Sequence, residues 1–331
     1  MHPFTYSSVN DAAQAIAFHQ SNPNAVFVAG GTDLLGLMKD RSSLPDHLVD
    51  INAISGLGKL QLMPDGALRI GALVRMSDLA VNLDVRRQFP VISEALLLSA
   101  SGQIRNMASI GGNLMQRTRC SYFRDSDGGS CNKRQPGSGC SALHGHNRDH
   151  AIFGWSDSCV ATHPSDLAVA LAALDASVRV RSAQGERTIP IGQFHTLPGS
   201  TPQVDNVMGR GDLIVGVEVP AAAEARRSHY LKVRDRQSFE FALISAAVGV
   251  TTDGRRIRSA RIAMGGVAHK PWRLAAAESA LRGVSLDEPA SLKAALADAF
   301  QEARPLEQNK FKVELAQRAV VRALQTAGAR A

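Results

Sequence analysis

The sequence predicts an α+β protein of two or three subdomains, and three observations predict it. A β-branched and aromatic run, Val26-Phe27-Val28-Ala29, stops at Gly30-Gly31 and leads into the helical pattern Leu34 to Lys39. Past an alanine-rich stretch at 221–225, three strand patterns come in succession and are followed by three helical ones. Between these parts, residues 116–158 are rich in Gly, Ser, Asn, Asp and Arg and poor in apolar residues, which interrupts the globular pattern.

Taken in order, residues 1–60 read as a small α/β unit. Ser8 or Asn10 is placed to cap a helix through Ala12, Ile16 and Phe18. The strand and glycine turn follow, with Thr32 and Asp33 as N-cap candidates for the next helix. Leu48 to Ile51 is a second strand, and Gly56-Leu57-Gly58 breaks the pattern. Pro64-Asp65-Gly66 makes a turn before the strand at Leu68 to Ala72. Ser77 to Leu83 and Val91 to Ser101 read as helices, the second with Ile92, Ala95, Leu96 and Ser99 on one face.

After the polar segment, Pro164 closes an extended stretch and Ser165 or Asp166 caps a helix. Ser177 to Arg181 and Arg187 to Ile191, around Gln184-Gly185, form a hairpin, and the strand from Asp212 to Val219 stops at Pro220. A boundary falls near residue 224. Beyond it, Tyr230 to Val233, Ala242 to Val250 and Ile257 to Met264 are strands, with Asp253-Gly254 as one turn. Residues 273–282, 290–303 and 309–327 are helical, and Phe311, Leu315, Ala319 and Val320 share a face of the last.

The glycine turn carries the first chemical signal. Glycines let backbone N–H groups approach a ligand closely, and the start of a helix favours an anion. Two familiar phosphate loops are excluded: Leu37-Met38 stands where a P-loop needs Lys and then Ser or Thr, and G-x-G-x-x-G is absent. About eighty residues later, Ser109-Ile110-Gly111-Gly112-Asn113 repeats the pattern. Two such turns are able to close on opposite sides of one pyrophosphate. The alternative is two unrelated turns.

The second signal is Cys120, Cys131, Cys140 and Cys159, the only cysteines, spaced C-x10-C, C-x8-C and C-x18-C. Two disulfides, a zinc site, an iron–sulfur cluster and an inert set all remain open at this point. Disulfides need an oxidising compartment, and structural zinc usually shows a tight knuckle that is missing here. Thiolates on a long loop suit a [4Fe–4S] cluster. His144, His146 and His150 lie inside the span as substitute ligands or solvated loop residues. Arg117, Arg119, Arg124, Lys133, Arg134 and Arg148 surround the cysteines, a basic setting for a negatively charged cluster or simply a solvated face.

Composition excludes other classes. No apolar run reaches membrane-spanning length, so no membrane insertion is expected. The N-terminus lacks the basic and apolar regions of a secretory signal. A net charge of +7, with scattered basic residues and only 5% aromatics, gives nucleic-acid binding little support.

The motifs Ala29-Gly30-Gly31-Thr32-Asp33-Leu34, Gln103-Ile104-Arg105-Asn106, Ile110-Gly111-Gly112-Asn113, Lys232-Val233-Arg234-Asp235-Arg236 and Gly265-Gly266-Val267-Ala268-His269-Lys270-Pro271 resemble the FAD-binding medium subunit of the molybdenum hydroxylases, the xanthine dehydrogenase and carbon monoxide dehydrogenase group. The resemblance spans nearly the whole chain. The cysteine loop is absent from most members. Its segments Arg117 to Cys120, Cys131 to Arg134, Gly137 to Cys140 and Ala161 to Asp166 resemble the bacterial aldehyde oxidoreductase FAD subunit, where such a loop holds an extra [4Fe–4S] cluster. A related loop occurs in 4-hydroxybenzoyl-CoA reductase.

The resemblance implies a vanillyl-alcohol-oxidase-like (PCMH-type) FAD-binding domain of two subdomains, residues 1–58 and 59–224 with the four-Cys loop at 116–160. A C-terminal α+β domain of the CO dehydrogenase flavoprotein type, 225–331, follows. It implies that Val26, Phe27, Val28, Ala29, Gly30, Gly31, Thr32, Asp33 and Leu34 wrap the FAD pyrophosphate, with Ser109, Gly111 and Gly112 closing from the other side. Asp166 is expected to bind a ribose or ribityl hydroxyl, the strand around Ile214 to lie near the cofactor, and Lys232 to sit by the isoalloxazine. Cys120, Cys131, Cys140 and Cys159 are the implied cluster ligands.

The implied role is electron transfer within a molybdenum-dependent aldehyde oxidoreductase. A large molybdenum-cofactor subunit would oxidise substrate, and a small subunit with two [2Fe–2S] clusters would complete a heterotrimer. This FAD would then reduce an external acceptor. The chain itself shows no catalytic acid, base or nucleophile of the usual sort. It carries no export signal of its own, and a partner's twin-arginine signal is a route to the periplasm. Competing readings are a xanthine dehydrogenase-like or 4-hydroxybenzoyl-CoA reductase-like subunit, a self-contained flavin oxidase, and a zinc-stapled binding module.

Overall fold

The computed structural model describes residues 1–125 and 127–330. Its first part is a parallel three-stranded sheet in the order β1-β3-β2, made of β1 (Thr5–Ser8), β2 (Ala25–Val28) and β3 (His47–Asp50). Helices α1 (Ala12–Ser21) and α2 (Leu34–Lys39) are the crossovers that parallel strands require. Val9, Ala15, Ile16 and Val49 form its small core. The chain caps α1 with Asp11, not Ser8 or Asn10: Asp11 Oδ1 accepts from Ala13 N–H at 3.2 Å. Ser8 is still paired with β3, so the chain is free to turn only after it.

The middle part holds β4 (Leu60–Leu62), β5 (Leu68–Gly71), α3 (Met76–Val81), α4 (Leu83–Gln88), α5 (Pro90–Leu97), α6 (Gly102–Met107), α7 (Ile110–Leu114), α8 (Ser121–Arg124), α9 (Asp166–Ala173), β6 (Ser177–Ser182), β7 (Gly185–Pro190), α10 (Ile191–Phe194) and β8 (Leu213–Val219). Its antiparallel sheet runs β4-β5-β8-β6-β7, and the hairpin expected around Gln184-Gly185 pairs Ser177 with Pro190. The helix expected through Ser101 ends at Leu97, where Ala100 turns left-handed (φ 50°) and Ser101 caps α6. Pro164 and Ser165 behave as expected, and Ser165 Oγ accepts from Ala168 N–H at 3.0 Å.

The last part is an antiparallel sheet, β12-β11-β10-β9, of β9 (Ser228–Val233), β10 (Ile244–Asp253), β11 (Arg256–Gly265) and β12 (Trp272–Arg273). Helices α11 (Ala275–Ala280), α12 (Pro289–Leu296) and α13 (Phe311–Gly328) follow. Helix α13 lies against β9 and β10 on one side, while α5 and α9 pack on the same sheet from the middle part. Burial on both faces explains why Ile244 to Val250 are all buried rather than alternating. On α13, Phe311 is exposed, and Lys312 takes the inward position instead. Its ammonium group is satisfied there, donating to Gly266 O at 2.7 Å and His150 O at 2.9 Å. Among the described residues no helix is long and apolar enough to cross a membrane.

Candidate functional site

The two glycine segments meet. A side chain at Gly30 would place its Cβ 1.9 Å from Met107 O, so only glycine lets this turn close on the end of α6. Gly31 adopts φ +68°, a left-handed conformation that other residues rarely take. Among the described residues, the backbone N–H groups of Gly30, Gly31, Thr32 and Asp33 donate no hydrogen bond. Such successive free donors in a half-buried turn form an anion-binding concavity. Val26, Phe27 and Val28 form β2 beneath the turn, Ala29 packs on the core of the first part, and Leu34 opens α2.

From the other side, Ser109 caps α7 by accepting from Gly112 N–H at 3.2 Å, and Gly111 N–H donates to Ala72 O at 2.8 Å. Thr32, Asp33 and Gly112 line one cavity of 340 Å³, together with Asp166 and Lys232. Its polar end is donor-rich, while Met76, Ile104 and Ala108 supply apolar wall. Asp166 and Lys232 form a buried ion pair at 2.8 Å. Asp166 also accepts from Ser99 Oγ at 2.8 Å and Tyr230 OH at 2.6 Å. Burial and the neighbouring carboxylate raise the Tyr230 phenol well above its ordinary range. The pair ties α9 to β9. Ile214 is buried in the β8 core and lines neither this cavity nor its neighbour.

The neighbouring cleft, 580 Å³, shares Arg119, Pro164, Asp166, Glu240 and Phe241 with the first cavity. Thr118 and Cys120 continue into a third cavity, lined also by Cys131, Cys140 and Cys159. All four cysteines are free thiols. Cys140 and Cys159 share a hydrogen bond that lowers the Cys140 thiol and raises Cys159, while burial pushes Cys120 up to about 11. His150 Nε2 lies 3.2 Å from Cys120 Sγ, and burial lowers its imidazole to about 4. Among the described residues, no group of three or more His, Cys, Asp or Glu side chains is arranged to hold a single metal ion. That arrangement is unlike a zinc site, where four ligands sit about 2.3 Å from one centre. The four thiols line that one small cavity together.

The basic residues of the loop serve as staples rather than as a free positive field. Lys133, 4% exposed, and Arg117 both bind Asp205. Arg148 binds Asp235 at 2.8 Å, and Arg134 donates to Gly129 O at 2.7 Å. Arg119 and Arg124 bind Asp33. Asp33 therefore makes no N-cap hydrogen bond to α2, contrary to the sequence expectation, because its carboxylate is taken by the loop. Sequence reading also missed a histidine group: His163 and His195 pack at a tilt with ring centroids 4.0 Å apart, and His269 leaves both ring nitrogens without a partner among the described residues. Burial lowers His195 to about 4 and His269 to about 3. No spacing in the sequence marks these three residues as neighbours.

Comparison with known proteins decides the family. Residues 2–222 match the FAD binding domain in molybdopterin dehydrogenase, and residues 229–327 match the CO dehydrogenase flavoprotein C-terminal domain. The chain belongs to the FAD-binding subunits of the molybdopterin dehydrogenases. It is 47% identical over 332 residues to the aldehyde oxidoreductase FAD-binding subunit PaoB of Escherichia coli, covering 100% of both chains. It is 27% identical to the carbon monoxide dehydrogenase medium chain of Hydrogenophaga pseudoflava, over 99% of this chain and 98% of that one. Among solved structures, carbon monoxide dehydrogenase of Hydrogenophaga pseudoflava superposes with a TM-score of 0.74 at 26% identity, covering 98% of this chain and 97% of that chain. The expected fold class is thus the observed one: a PCMH-type FAD-binding domain followed by a CO dehydrogenase flavoprotein-type domain. The chain is an oxidoreductase subunit that binds FAD.

Proposed function

We propose that this subunit carries FAD between its two glycine turns and a [4Fe–4S] cluster on Cys120, Cys131, Cys140 and Cys159, within a molybdenum-dependent aldehyde oxidoreductase. The observation that carries the reading is a row of three neighbouring cavities that share lining residues, from the first glycine turn through the 580 Å³ cleft to the four thiols. The free backbone N–H groups of Gly30, Gly31, Thr32 and Asp33 would hold the pyrophosphate from one side, while Gly111 and Gly112, whose own N–H groups are bonded to Ala72 O and Ser109 Oγ, would close the other side by close backbone approach. Ser109 keeps the second turn in shape through its cap. Asp166 is positioned by Lys232, Tyr230 and Ser99 at the cavity wall, where its remaining lone pairs would be left to accept from a cofactor hydroxyl. The β8 strand around Ile214 would act only as support.

The chemistry the flavin supplies when bound is redox transfer, with electrons arriving from [2Fe–2S] centres and leaving to an external acceptor. A large molybdenum-cofactor subunit and a small two-[2Fe–2S] subunit would complete a heterotrimer. The names of the aldehyde oxidoreductase and carbon monoxide dehydrogenase relatives support this. Loading would precede any export on a partner's twin-arginine signal. The division at residue 224 belongs to the same proposal.

Anaerobically purified chain should show flavin bands, a broad iron–sulfur shoulder, and about four iron and four sulfide per chain. Replacing Gly31 with Val should yield flavin-poor protein that keeps its iron. One zinc without iron would sink the cluster. Aldehyde turnover by the isolated chain would favour a self-contained flavin oxidase.

A further inference from the structure

The cysteine loop and the first glycine turn are joined through one carboxylate. Asp33 accepts from the Arg117 backbone N–H at 2.9 Å, from Arg124 Nη2 at 2.8 Å and from the guanidinium of Arg119. Further along α2, Leu37 packs with Phe123 and Cys131, and Ser42 Oγ donates to Phe123 O at 3.0 Å. Arg119 and Arg124, on either side of Cys120, thereby come to line the same 340 Å³ cavity as Thr32 and Gly112. Their side chains are only 28% and 17% exposed.

Charge at this cavity does not balance. Arg119, Arg124, Lys232 and Arg236 line it against Asp33, Asp166 and Glu240; Asp166 is committed to Lys232 and Glu240 to Arg236, which leaves Arg119 and Arg124 sharing Asp33. The next acid, Asp40, stands 3.8 Å from Arg124 and lies outside the lining. Within the lining, two largely buried guanidinium groups face one shared carboxylate, Asp33, which leaves the cavity able to take an anion, and the planar fork of arginine matches phosphate oxygens.

We propose that the four-cysteine loop is itself part of the flavin site: Arg119 and Arg124 bind the FAD pyrophosphate, and Asp33 positions them. Metal loading of the loop and flavin retention are then linked, because the same loop carries Cys120 between the two arginines. The proposal rests on the pyrophosphate lying between the glycine turns, and Gly112→Val tests that placement separately.

The experiment titrates FAD into deflavinated full-length chain by flavin fluorescence, with iron content and circular dichroism measured on the same samples. Arg119→Gln and Arg124→Gln should each weaken FAD about tenfold or more, the loss expected for a charge-assisted hydrogen bond. Arg119→Lys should fall between wild type and Arg119→Gln, since it keeps the charge but loses the planar fork. ADP, which carries the pyrophosphate without the flavin, should lose affinity as a competitor by the same factor, and adenosine should lose none. FAD and ADP affinities within twofold of wild type in both glutamine variants would overturn the proposal. So would a loss confined to FAD, which would place the arginines at the flavin ring. Should Arg119→Gln fail to fold by circular dichroism, Arg124→Gln carries the same test. A Gly112→Val chain that still loads FAD removes the placement and the proposal with it. A flavin-free Gly112→Val beside unaffected arginine variants overturns the arginine role alone.

Discussion

The cysteine loop and the C-terminal domain are ordered by different forces. The C-terminal domain buries a contiguous apolar core, with Val248, Ile262, Met264, Leu292, Val320 and Leu324 all at 0% exposure. Among its described residues the loop sends Ile152 and Phe153 into that core and otherwise has two small apolar clusters, one of Leu37, Phe123 and Cys131 and one of Ala142, Val160 and Leu306. The rest of it is held mainly by ion pairs to distant carboxylates, Asp33, Asp205 and Asp235. Apolar burial needs no partner outside the chain. A polar loop of this length is stable only while its charges are paired and, in our proposal, while its thiols are ligated.

The largest effect that would test the contrast is loss of one thiol. Cys131→Ala should abolish iron binding and expose residues 120–160 to limited proteolysis, while the C-terminal domain keeps its amide-exchange protection. Loss of protection throughout the chain would mean that the two regions are one unit. Removing Asp205 strands the buried ammonium of Lys133. Asp205→Asn should cost about 3 kcal/mol, the low end for a broken buried pair because Asp205 keeps 25% exposure. Proteolysis kinetics should assign that loss to the loop. Ile262→Ala removes a 0% exposed side chain from the C-terminal core. It should cost about 2–5 kcal/mol in urea unfolding with iron content unchanged.

A smaller effect comes from pH. Burial lowers His195 from the usual 6.5 to about 4. Between those values the unfolded chain binds the extra proton and the folded chain does not, so stability is full above about pH 6.5 and falls as pH drops toward 4. Melting temperature followed across that window should decline, and less steeply in His195→Asn. An equally steep decline in the variant would assign the effect to other buried groups. The smallest effect belongs to the surface. Lys293 and Glu314 pair at 2.8 Å with both side chains 46% exposed, so Lys293→Ala should shift stability by about 1 kcal/mol or less.

The sequence alone determined most of the C-terminal domain and both glycine turns. Apolar periodicity and punctuation by Gly, Pro and Ser are local signals, so the strands around Tyr230, Val248 and Ile262, the Ser165 cap and the Gln184-Gly185 hairpin could all be read from neighbouring residues. The clustering of four cysteines was equally plain. Strand β1 was missed because Thr5 to Ser8 offers little apolar alternation, and the exposure of Phe311 was missed because helical spacing does not say that Lys312 finds two buried carbonyl acceptors. Only the tertiary structure decided the pairing of charges. Asp33 lies more than eighty residues before the arginines it binds, and Lys133 about seventy before Asp205. A charge chooses its partner by distance in space and by shared desolvation, neither of which leaves a spacing in the chain.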